Sequence, residues 1–168
     1  MSRINNTWRV KKSIIHGNGV VAAKNINKNE KIIQYIGEKI TKSEGDKRSE
    51  QRIKKYLNSN KTGSVYIFEL NKKYDIDGTP KYNKARYINH SCDPNCEVKI
   101  IKNEIWICSI KKIRKGDEST YDYGYEFDKD DFRDHVCKCG SKNCIGFIIS
   151  SDDWPKYLKY LKKIISNK

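Results

Sequence analysis

Three cysteines near the end of the sequence are spaced so that a single metal ion can bind all of them. Cys137, Cys139 and Cys144 form a C-x-C-x4-C array in the stretch CKCGSKNCIG, whose glycines favour tight turns. Thiolates this close together suit zinc, which prefers tetrahedral sulfur and nitrogen ligands. Coincidence or redox chemistry is the alternative for three cysteines in eight residues. The fourth position is open to water, as in a catalytic zinc site, or to His135, Cys92, Cys96 or Cys108.

The stretch YINHSCDPNC, residues 87–96, concentrates further side chains that bind metals or polar ligands. One histidine, two cysteines, two asparagines and a proline share its ten positions. Earlier in the chain, SIIHGNGVVAAKNI contains Gly17 and Gly19, and a residue without a side chain lets backbone groups approach a cofactor closely. Taken alone, these glycines are more typical of an ordinary turn.

Length and charge limit the class of protein. A chain of 168 residues is in the usual range for one compact domain and short for two independent ones. Lys and Arg number 35 against 21 Asp and Glu, and the formal charge of +14 attracts polyanions and repels basic polypeptides. The charge therefore predicts contact with nucleic acid or an acidic surface, unless the lysines simply cover solvated faces.

No apolar run approaches the length needed to span a bilayer, and MSRINNTWRVKK lacks the apolar core of a secretory signal. We therefore expect an intracellular protein without membrane contact. The nucleus or chromosome is expected for a eukaryotic or host-delivered protein, and the cytoplasm for a bacterial one. In a reducing compartment, six cysteines are more often metal ligands, buried groups or reactive thiols than disulfides.

Short apolar or β-branched runs predict a β-rich fold. They read GVVAA, KIIQYIG, SVYIFEL, EVKII and EIWICSI, each bounded by Gly, Asn, Asp or Lys. Only Lys102 and Asn103 separate the last two runs, which predicts a hairpin. Between strands, TKSEGDKRSEQRIKKYLNSN offers Thr41 and Glu44 as a capping box, which predicts one polar, exposed helix.

A second helix is predicted in SDDWPKYLKYLKKIISNK, where Asp152 or Asp153 can cap and Pro155 suits the first turn. One face of this helix is apolar, which predicts that the helix docks on the domain. Its residues are Tyr157, Leu158, Leu161, Ile164 and Ile165. The opposite face suits either nucleic acid contact or plain solvation, since it carries Lys156, Lys159, Lys162 and Lys163.

In combination these pieces resemble the SET-domain family of protein-lysine methyltransferases, which use S-adenosylmethionine, from about residue 8 to residue 149. SIIHGNGVVAAKNI is similar to the opening cofactor loop, YIGE to the next element, ARYINHSCDPNC to the central signature and KGDESTYDYGY to the tyrosine motif. CKCGSKNCIGFI resembles the zinc-binding post-SET segment. The resemblance implies a β-rich α+β fold of small sheets with a pseudoknot-like core, a post-SET zinc loop and a C-terminal helix.

The resemblance also implies boundaries: a SET domain at 8–125, a post-SET zinc segment at 126–149 and the C-terminal helix at 150–168. One departure from the family pattern affects the core. Where the family usually has G-E-E-L before the tyrosines, this chain reads GDES and ends on Ser119. A core leucine is thus replaced by serine, which predicts different packing around this position.

Individual residues take roles from the resemblance. Zinc would be bound by Cys92, Cys137, Cys139 and Cys144. Tyr35, Tyr121 and Tyr123 would line the channel that admits the lysine stem, and the Tyr123 hydroxyl would orient the amine. Tyr125 would add to the channel wall. S-adenosylmethionine would contact His16, Gly17, Asn18, Gly19, Tyr66, Arg86, Asn89 and His90.

The implied activity is methyl transfer to the ε-amine of lysine in a histone or another basic protein, mainly as mono-methylation. The amine must be neutral to react, and desolvation together with a nearby sulfonium lowers its pKa. The alternatives are a catalytically idle SET module that binds nucleic acid or chromatin, and the same chemistry on a non-histone protein. Charge does not decide between them, since a basic tail is repelled by the +14 chain whereas nucleosomal DNA attracts it.

Overall fold

The computed structural model describes residues 7–57 and 65–166, apart from the side chains of Tyr56 and Leu57. Small β-sheets and few helices form within these residues, as predicted for a β-rich α+β fold. In chain order the elements are β1 (Trp8–Lys12), β2 (Asn18–Ala22), β3 (Lys31–Tyr35), β4 (Glu38–Thr41), α1 (Lys42–Leu57), β5 (Ile67–Glu69), β6 (Tyr74–Asp77), β7 (Asn89–His90), β8 (Cys96–Ile101), β9 (Glu104–Ser109), β10 (Glu118–Tyr121) and α2 (Trp154–Ser166). Neither of these two helices is long and apolar enough to cross a membrane.

The chain divides into two compact units, each built from separated stretches of sequence. Unit 1 contains Met1–Asn29, Ile88–Glu97 and Ser109–Lys168. Unit 2 contains Glu30–Tyr87 and Val98–Cys108. The predicted boundaries after residues 125 and 149 stay predictions.

Unit 1 contains a four-stranded sheet in the order β1-β2-β10-β7. Strand β2 pairs antiparallel with β1 and β10, whereas β7 runs parallel to β10. In the parallel pair, Thr120 lies opposite Asn89 and Tyr121 lies opposite His90. Because paired strands lie about 4.8 Å apart, this register puts the N-H-S-C signature directly beside the tyrosine motif.

Helix α2 packs on an aromatic core of unit 1. Phe127, Phe132 and Tyr157 are buried, and the Phe127 and Tyr157 ring centroids lie 5.5 Å apart. The predicted docking of the helix is therefore confirmed. Leu158 and Ile165 were expected on the packed face, but they are 48% and 72% exposed. Each residue turns a helix by about 100°, which places both side chains roughly a quarter turn away from Tyr157.

Unit 2 contains the sheet β4-β6-β5, helix α1 and most of the sheet β3-β9-β8, whose end residues Cys96, Glu97 and Ser109 are assigned to unit 1. Strand β6 buries two carboxylates, Asp75 and Asp77. Lys42 Nζ lies 2.7 Å from Asp75, and Asp77 accepts hydrogen bonds from Arg48 at 2.9 Å and Arg52 at 2.7 Å. Burial alone would raise the pKa of Asp77, but hydrogen bonds from Arg52 and its neighbours hold the pKa well below its ordinary value. Cations on α1 thus allow a polar strand inside the unit.

The predicted hairpin and the Thr41 half of the predicted capping box are confirmed, whereas the Glu44 carboxylate accepts a hydrogen bond from Arg48 Nε at 2.7 Å. Lys102 and Asn103 join β8 to β9 with φ of 51° and 62°, the pair of positive angles that a two-residue type I′ hairpin needs. At the start of α1, Thr41 Oγ1 accepts the N–H of Glu44 at 3.3 Å, as an N-cap does. The five predicted strands overlap β2, β3, β5, β8 and β9, while β1, β4, β6, β7 and β10 were not predicted.

Ser119, the serine in place of the family leucine, is fully buried on β10, and its hydroxyl has no hydrogen-bond partner among the described residues. A buried hydroxyl without a partner costs free energy. We expect Ser119→Ala to raise the free energy of unfolding by about 1 kcal/mol, measured by urea denaturation.

Ser109 supplies the matched control for this prediction. It is equally buried, but its hydroxyl donates to the Asn27 carbonyl at 2.5 Å. Ser109→Ala should therefore lower the free energy of unfolding. An equal loss of stability in both variants would contradict the interpretation of Ser119.

Candidate functional site

Four cysteine side chains of unit 1 converge on one point. Their Sγ atoms all lie within 4.8 Å of one another, and they belong to Cys92, Cys137, Cys139 and Cys144. Cys92 Sγ is 3.8 Å from Cys137 Sγ and 3.9 Å from Cys144 Sγ. A tetrahedral zinc ion with Zn–S bonds of about 2.3 Å separates its ligands by about 3.8 Å. The donor set and its spacing therefore fit a structural zinc ion, with Cys92 as the fourth ligand.

The other candidates for the fourth ligand have different surroundings. The His135 ring lies 5.3 Å from the ring of Tyr125, and its Nε2 is 3.8 Å from an Asp131 oxygen. Cys96 and Cys108 are buried outside the cluster. A small, weakly polar thiol suits such positions as a core side chain.

Backbone geometry shapes the loop that carries the last three thiols. Gly140 and Gly146 adopt φ of 68° and 86°, the left-handed region that favours glycine. The N–H of Cys137 donates to the Gly146 carbonyl at 2.9 Å, and the N–H of Gly146 points to Cys144 Sγ at 3.4 Å. The loop thus closes on itself and turns its sulfurs inward.

Burial dominates the ionisation of these thiols. It raises the pKa of Cys92 to about 12 and also raises the pKa of Cys137. Burial acts in the same direction at Cys139, but hydrogen bonds from Ser141 and the backbone outweigh it and lower the pKa to about 6. Because zinc binds thiolates, metal binding here is expected to release protons.

Asn89 ties the first glycine loop to the sheet. Its side chain is buried, and Nδ2 lies 2.7 Å from Glu118 Oε1, 3.2 Å from the His16 carbonyl and 3.1 Å from the Asn18 carbonyl. Ser13 Oγ donates to the same carboxylate at 2.8 Å. The signature, the loop and β10 therefore meet at one polar cluster in unit 1.

Glu118 was not predicted as a site residue, although its charge at the start of a buried strand is a visible signal. A Cβ atom on Gly19 would collide with the Glu118 carboxylate, so Gly19 makes room for that side chain. Gly17 has open space around it but a φ of +52°, so its glycine is needed for backbone reasons. The predicted contacts of this loop with a cofactor stay predictions.

The close approach of Gly19 and Glu118 predicts a coupled pair of variants. Gly19→Ala should lower the free energy of unfolding by about 1 to 3 kcal/mol, because the new methyl displaces a hydrogen-bonded carboxylate. In a Glu118→Ala background the same change should cost much less. Urea denaturation of the four proteins measures the coupling, and equal costs in both backgrounds would contradict the contact.

His90 is buried and packs on the tyrosine motif. Its Nδ1 accepts the backbone N–H of Tyr123 at 3.2 Å, and its Nε2 lies 3.6 Å from Cys92 Sγ. Burial lowers the pKa of His90 more than the Asp122 carboxylate raises it. An accepting Nδ1 and a lowered pKa both indicate a neutral imidazole with its proton on Nε2. His90 therefore links the signature to the tyrosine motif.

Three tyrosines of unit 1 form a row. Ring centroids are 5.0 Å apart for Tyr121 and Tyr123 and 5.9 Å apart for Tyr123 and Tyr125. The Tyr123 hydroxyl donates to the Ile88 carbonyl at 3.0 Å. Asp122 was not predicted as a site residue. Its carboxylate accepts the backbone N–H of Gly124 at 3.0 Å and that of Ser151 at 2.8 Å, and these bonds hold the tyrosine motif in place.

The remaining predicted residues belong to unit 2. The buried Tyr35 donates its hydroxyl hydrogen to the Tyr66 carbonyl at 3.0 Å and packs on Phe68 with ring centroids 4.4 Å apart. Arg86 stacks over the Tyr66 ring at 4.0 Å and donates to the Thr79 carbonyl. Its Nε is buried without a hydrogen-bond partner among the described residues. The structure thus brings Tyr35, Tyr66 and Arg86 together within this unit.

The chain is similar in sequence to known proteins. The sequence model of the SET domain matches residues 17–124. The chain is 43% identical over 141 residues to a histone-lysine N-methyltransferase, H3 lysine-4 specific, of Saccharomyces cerevisiae, covering 82% of this chain and 13% of the relative. It is 40% identical to the protein of that description from Neurospora crassa, covering 82% and 10%. It is 37% identical to histone-lysine N-methyltransferase 2D of Homo sapiens, covering 84% and 3%. The chain therefore spans a small part of these relatives.

Proposed function

Because the chain belongs to the SET-domain family, we propose that it transfers methyl groups from S-adenosylmethionine to lysine 4 of histone H3. The family supports the reaction, and the named specificity of the fungal relatives supports the substrate. The observation that carries the proposal is the packing of Tyr123 on the signature, through the Ile88 carbonyl and the His90 ring. A protein with this substrate would act in the nucleus or on a chromosome.

The Tyr123 hydroxyl is suited to orient the substrate amine. It has one hydrogen, which is donated to the Ile88 carbonyl at 3.0 Å. The oxygen therefore faces a substrate as an acceptor, and an amine that donates an N–H to it turns its lone pair elsewhere. Alignment of this kind is worth several kcal/mol in rate when the reacting atoms are held close.

The neutral amine is produced by the environment. A lysine has an ordinary pKa of about 10.4, and burial in a tyrosine-lined channel lowers that pKa because it disfavours the ammonium form. We propose Tyr35, Tyr121 and Tyr123 as channel residues, with Tyr125 in the wall. No strong general base is then required.

We propose that Arg86 and seven further residues hold the methyl donor. S-adenosylmethionine supplies an electrophilic methyl group on a sulfonium when it is bound. Arg86 fits a binding role because its buried Nε lacks a partner among the described residues, and a ligand carboxylate would satisfy that donor. The other proposed binding residues are His16, Gly17, Asn18, Gly19, Tyr66, Asn89 and His90.

Methyl transfer from isotope-labelled donor to recombinant histone H3 tests the proposal. Label is expected in H3, and mass spectrometry should find it on lysine 4; an H3 tail with arginine at that position should stay unlabelled. Incorporation into another protein but not into H3 would support the proposed methyl transfer and would overturn histone H3 as the substrate. No incorporation into any protein would favour a catalytically idle module that binds nucleic acid or chromatin.

Tyr121 is expected to limit the number of methyl groups added. It is buried beside Tyr123, and a tyrosine hydroxyl there occupies space that a second or third methyl group needs. A hydrogen bond from that hydroxyl to water or the amine adds about 0.5 to 1.5 kcal/mol. The native chain should therefore give mainly mono-methyl-lysine with some di-methyl-lysine, and Tyr121→Phe should shift the product to di- and tri-methyl-lysine.

The measurement is product mass after many turnovers with excess donor. Tyr157→Phe removes a hydroxyl from another buried tyrosine of unit 1 and should leave the product distribution unchanged. Abundant tri-methyl-lysine from the native chain would rule out this role for Tyr121.

A further inference from the structure

Helix α2 has an unusual charge distribution for a surface helix. Its sequence, WPKYLKYLKKIIS, contains four lysines and no acidic residue. Lys159, Lys162 and Lys163 form no ion pair within the described residues. Lys156 Nζ lies 3.8 Å from an Asp153 oxygen and donates a hydrogen bond to the Phe127 carbonyl at 3.0 Å. Surface helices are commonly stabilised by acidic and basic side chains three or four residues apart. In α2, acidic side chains that would pair with the lysines are nearly absent.

The lysines repel one another instead. Lys156 and Lys159 are three residues apart, and Lys159 and Lys163 are four apart, so they are neighbours on one side of the helix. Each like-charge pair at this spacing destabilises a helix by roughly 0.2 to 0.5 kcal/mol. A bound polyanion would convert this repulsion into attraction.

An open pocket of about 690 Å³ lies along the same side of the helix. Its apolar floor is formed by Phe127 and Tyr160, and its rim carries Lys129, Lys156, Lys159 and Lys163. Within the part of the chain that the structure describes, Asp128 is the only acidic residue that lines it. The pocket therefore offers apolar surface between cationic groups.

We propose that this surface, Lys129, Lys156, Lys159 and Lys163 around Tyr160, docks on the phosphate backbone of duplex DNA. Lys156 and Lys163 are separated by seven helical residues, or about 10 Å along the axis. Measured along the duplex axis, that length corresponds to the rise of about three phosphates of one DNA strand. The Tyr160 side chain gives a sugar ring an apolar surface between the phosphates.

Charge favours DNA over an acidic protein segment as the occupant. The whole chain carries a formal charge of +14, which attracts a long polyanion from beyond the pocket. A short acidic peptide would neutralise only the pocket itself. The surface would hold the protein near DNA and requires no change at the proposed catalytic residues.

Fluorescence anisotropy with a labelled DNA duplex, at several salt concentrations, tests the proposal on the full chain. The test variant replaces Lys156, Lys159 and Lys163 by glutamine. The control variant replaces three exposed lysines of unit 1 by glutamine, and these are Lys24, Lys28 and Lys115. It therefore removes as much positive charge as the test variant does. Three lost phosphate contacts should weaken binding about 10- to 100-fold and reduce the salt slope by about 2 to 3.

The control should retain near-native affinity, and arginine at the three tested positions should preserve binding. Equal losses in test and control variants would overturn the proposal, since the attraction would then follow net charge alone. Absence of DNA binding by the native chain, or equally good binding of a poly-glutamate peptide, would also overturn it. Methyl transfer to a free H3 tail peptide should be unchanged in the test variant, which separates this proposal from the proposed catalytic function.

Discussion

Tyr123→Phe is expected to lower the turnover number for methyl transfer about 100-fold, the usual cost of removing one well-placed hydrogen-bonding group from a transition state. The variant keeps the ring and its packing on His90 and Tyr121. It loses only the oxygen that we propose orients the substrate amine. The apparent affinity for S-adenosylmethionine should change far less, because alignment matters chiefly in the transition state.

Stability needs a separate control, because the Tyr123 hydroxyl also donates to the buried Ile88 carbonyl. Its loss should cost about 1 kcal/mol of unfolding free energy, too little to unfold the enzyme. Tyr157→Phe removes a hydroxyl from a buried tyrosine outside the proposed site and should keep full turnover. Near-native turnover by Tyr123→Phe would move the catalytic role to another residue.

Cys144→Ser is expected to abolish zinc binding and to destabilise the protein strongly. Binding free energies of structural zinc sites are about 10 to 16 kcal/mol, and they contribute directly to folding. Loss of only about 3 kcal/mol would lower the unfolding temperature of a chain this size by roughly 6 to 12 °C. Metal analysis of freshly purified reduced protein should give one zinc per native chain and none per variant.

Cys96→Ser is the matched control for the zinc site. Cys96 is almost completely buried, with 1% of its surface exposed, but it lies outside the four-thiol cluster. This variant should keep its zinc. Zinc retention by Cys144→Ser, or absence of zinc from the native protein, would contradict the site. Methyl transfer should fall with the metal, because zinc binding is expected to help assemble the substrate channel.

Local sequence signals predicted the elements whose formation depends on neighbouring residues. The β8–β9 hairpin was predicted because only two residues separate two apolar runs. One of these residues is Asn103, which adopts a positive φ angle in such a turn. Thr41 was readable as a helix cap for the same local reason. Strand β6 was missed, because a strand with buried Asp75 and Asp77 has no apolar pattern. Lys42, Arg48 and Arg52 make it possible, and they come from a different element.

The sequence by itself determined the family motifs, the zinc-binding spacing of Cys137, Cys139 and Cys144, and the tyrosine run, because these depend on residue type and short separations. Tertiary structure decided what completes each group. Reasoning from spacing left four candidates for the remaining zinc ligand, and the family resemblance implied Cys92. The folded chain brings the Cys92 thiol to the other three. The parallel pairing of β7 with β10 places His90 against Tyr123. The hydrophobic periodicity of the sequence does not predict this contact. Metal sites and parallel strands join distant segments, so their partners follow from chain topology and not from local preference.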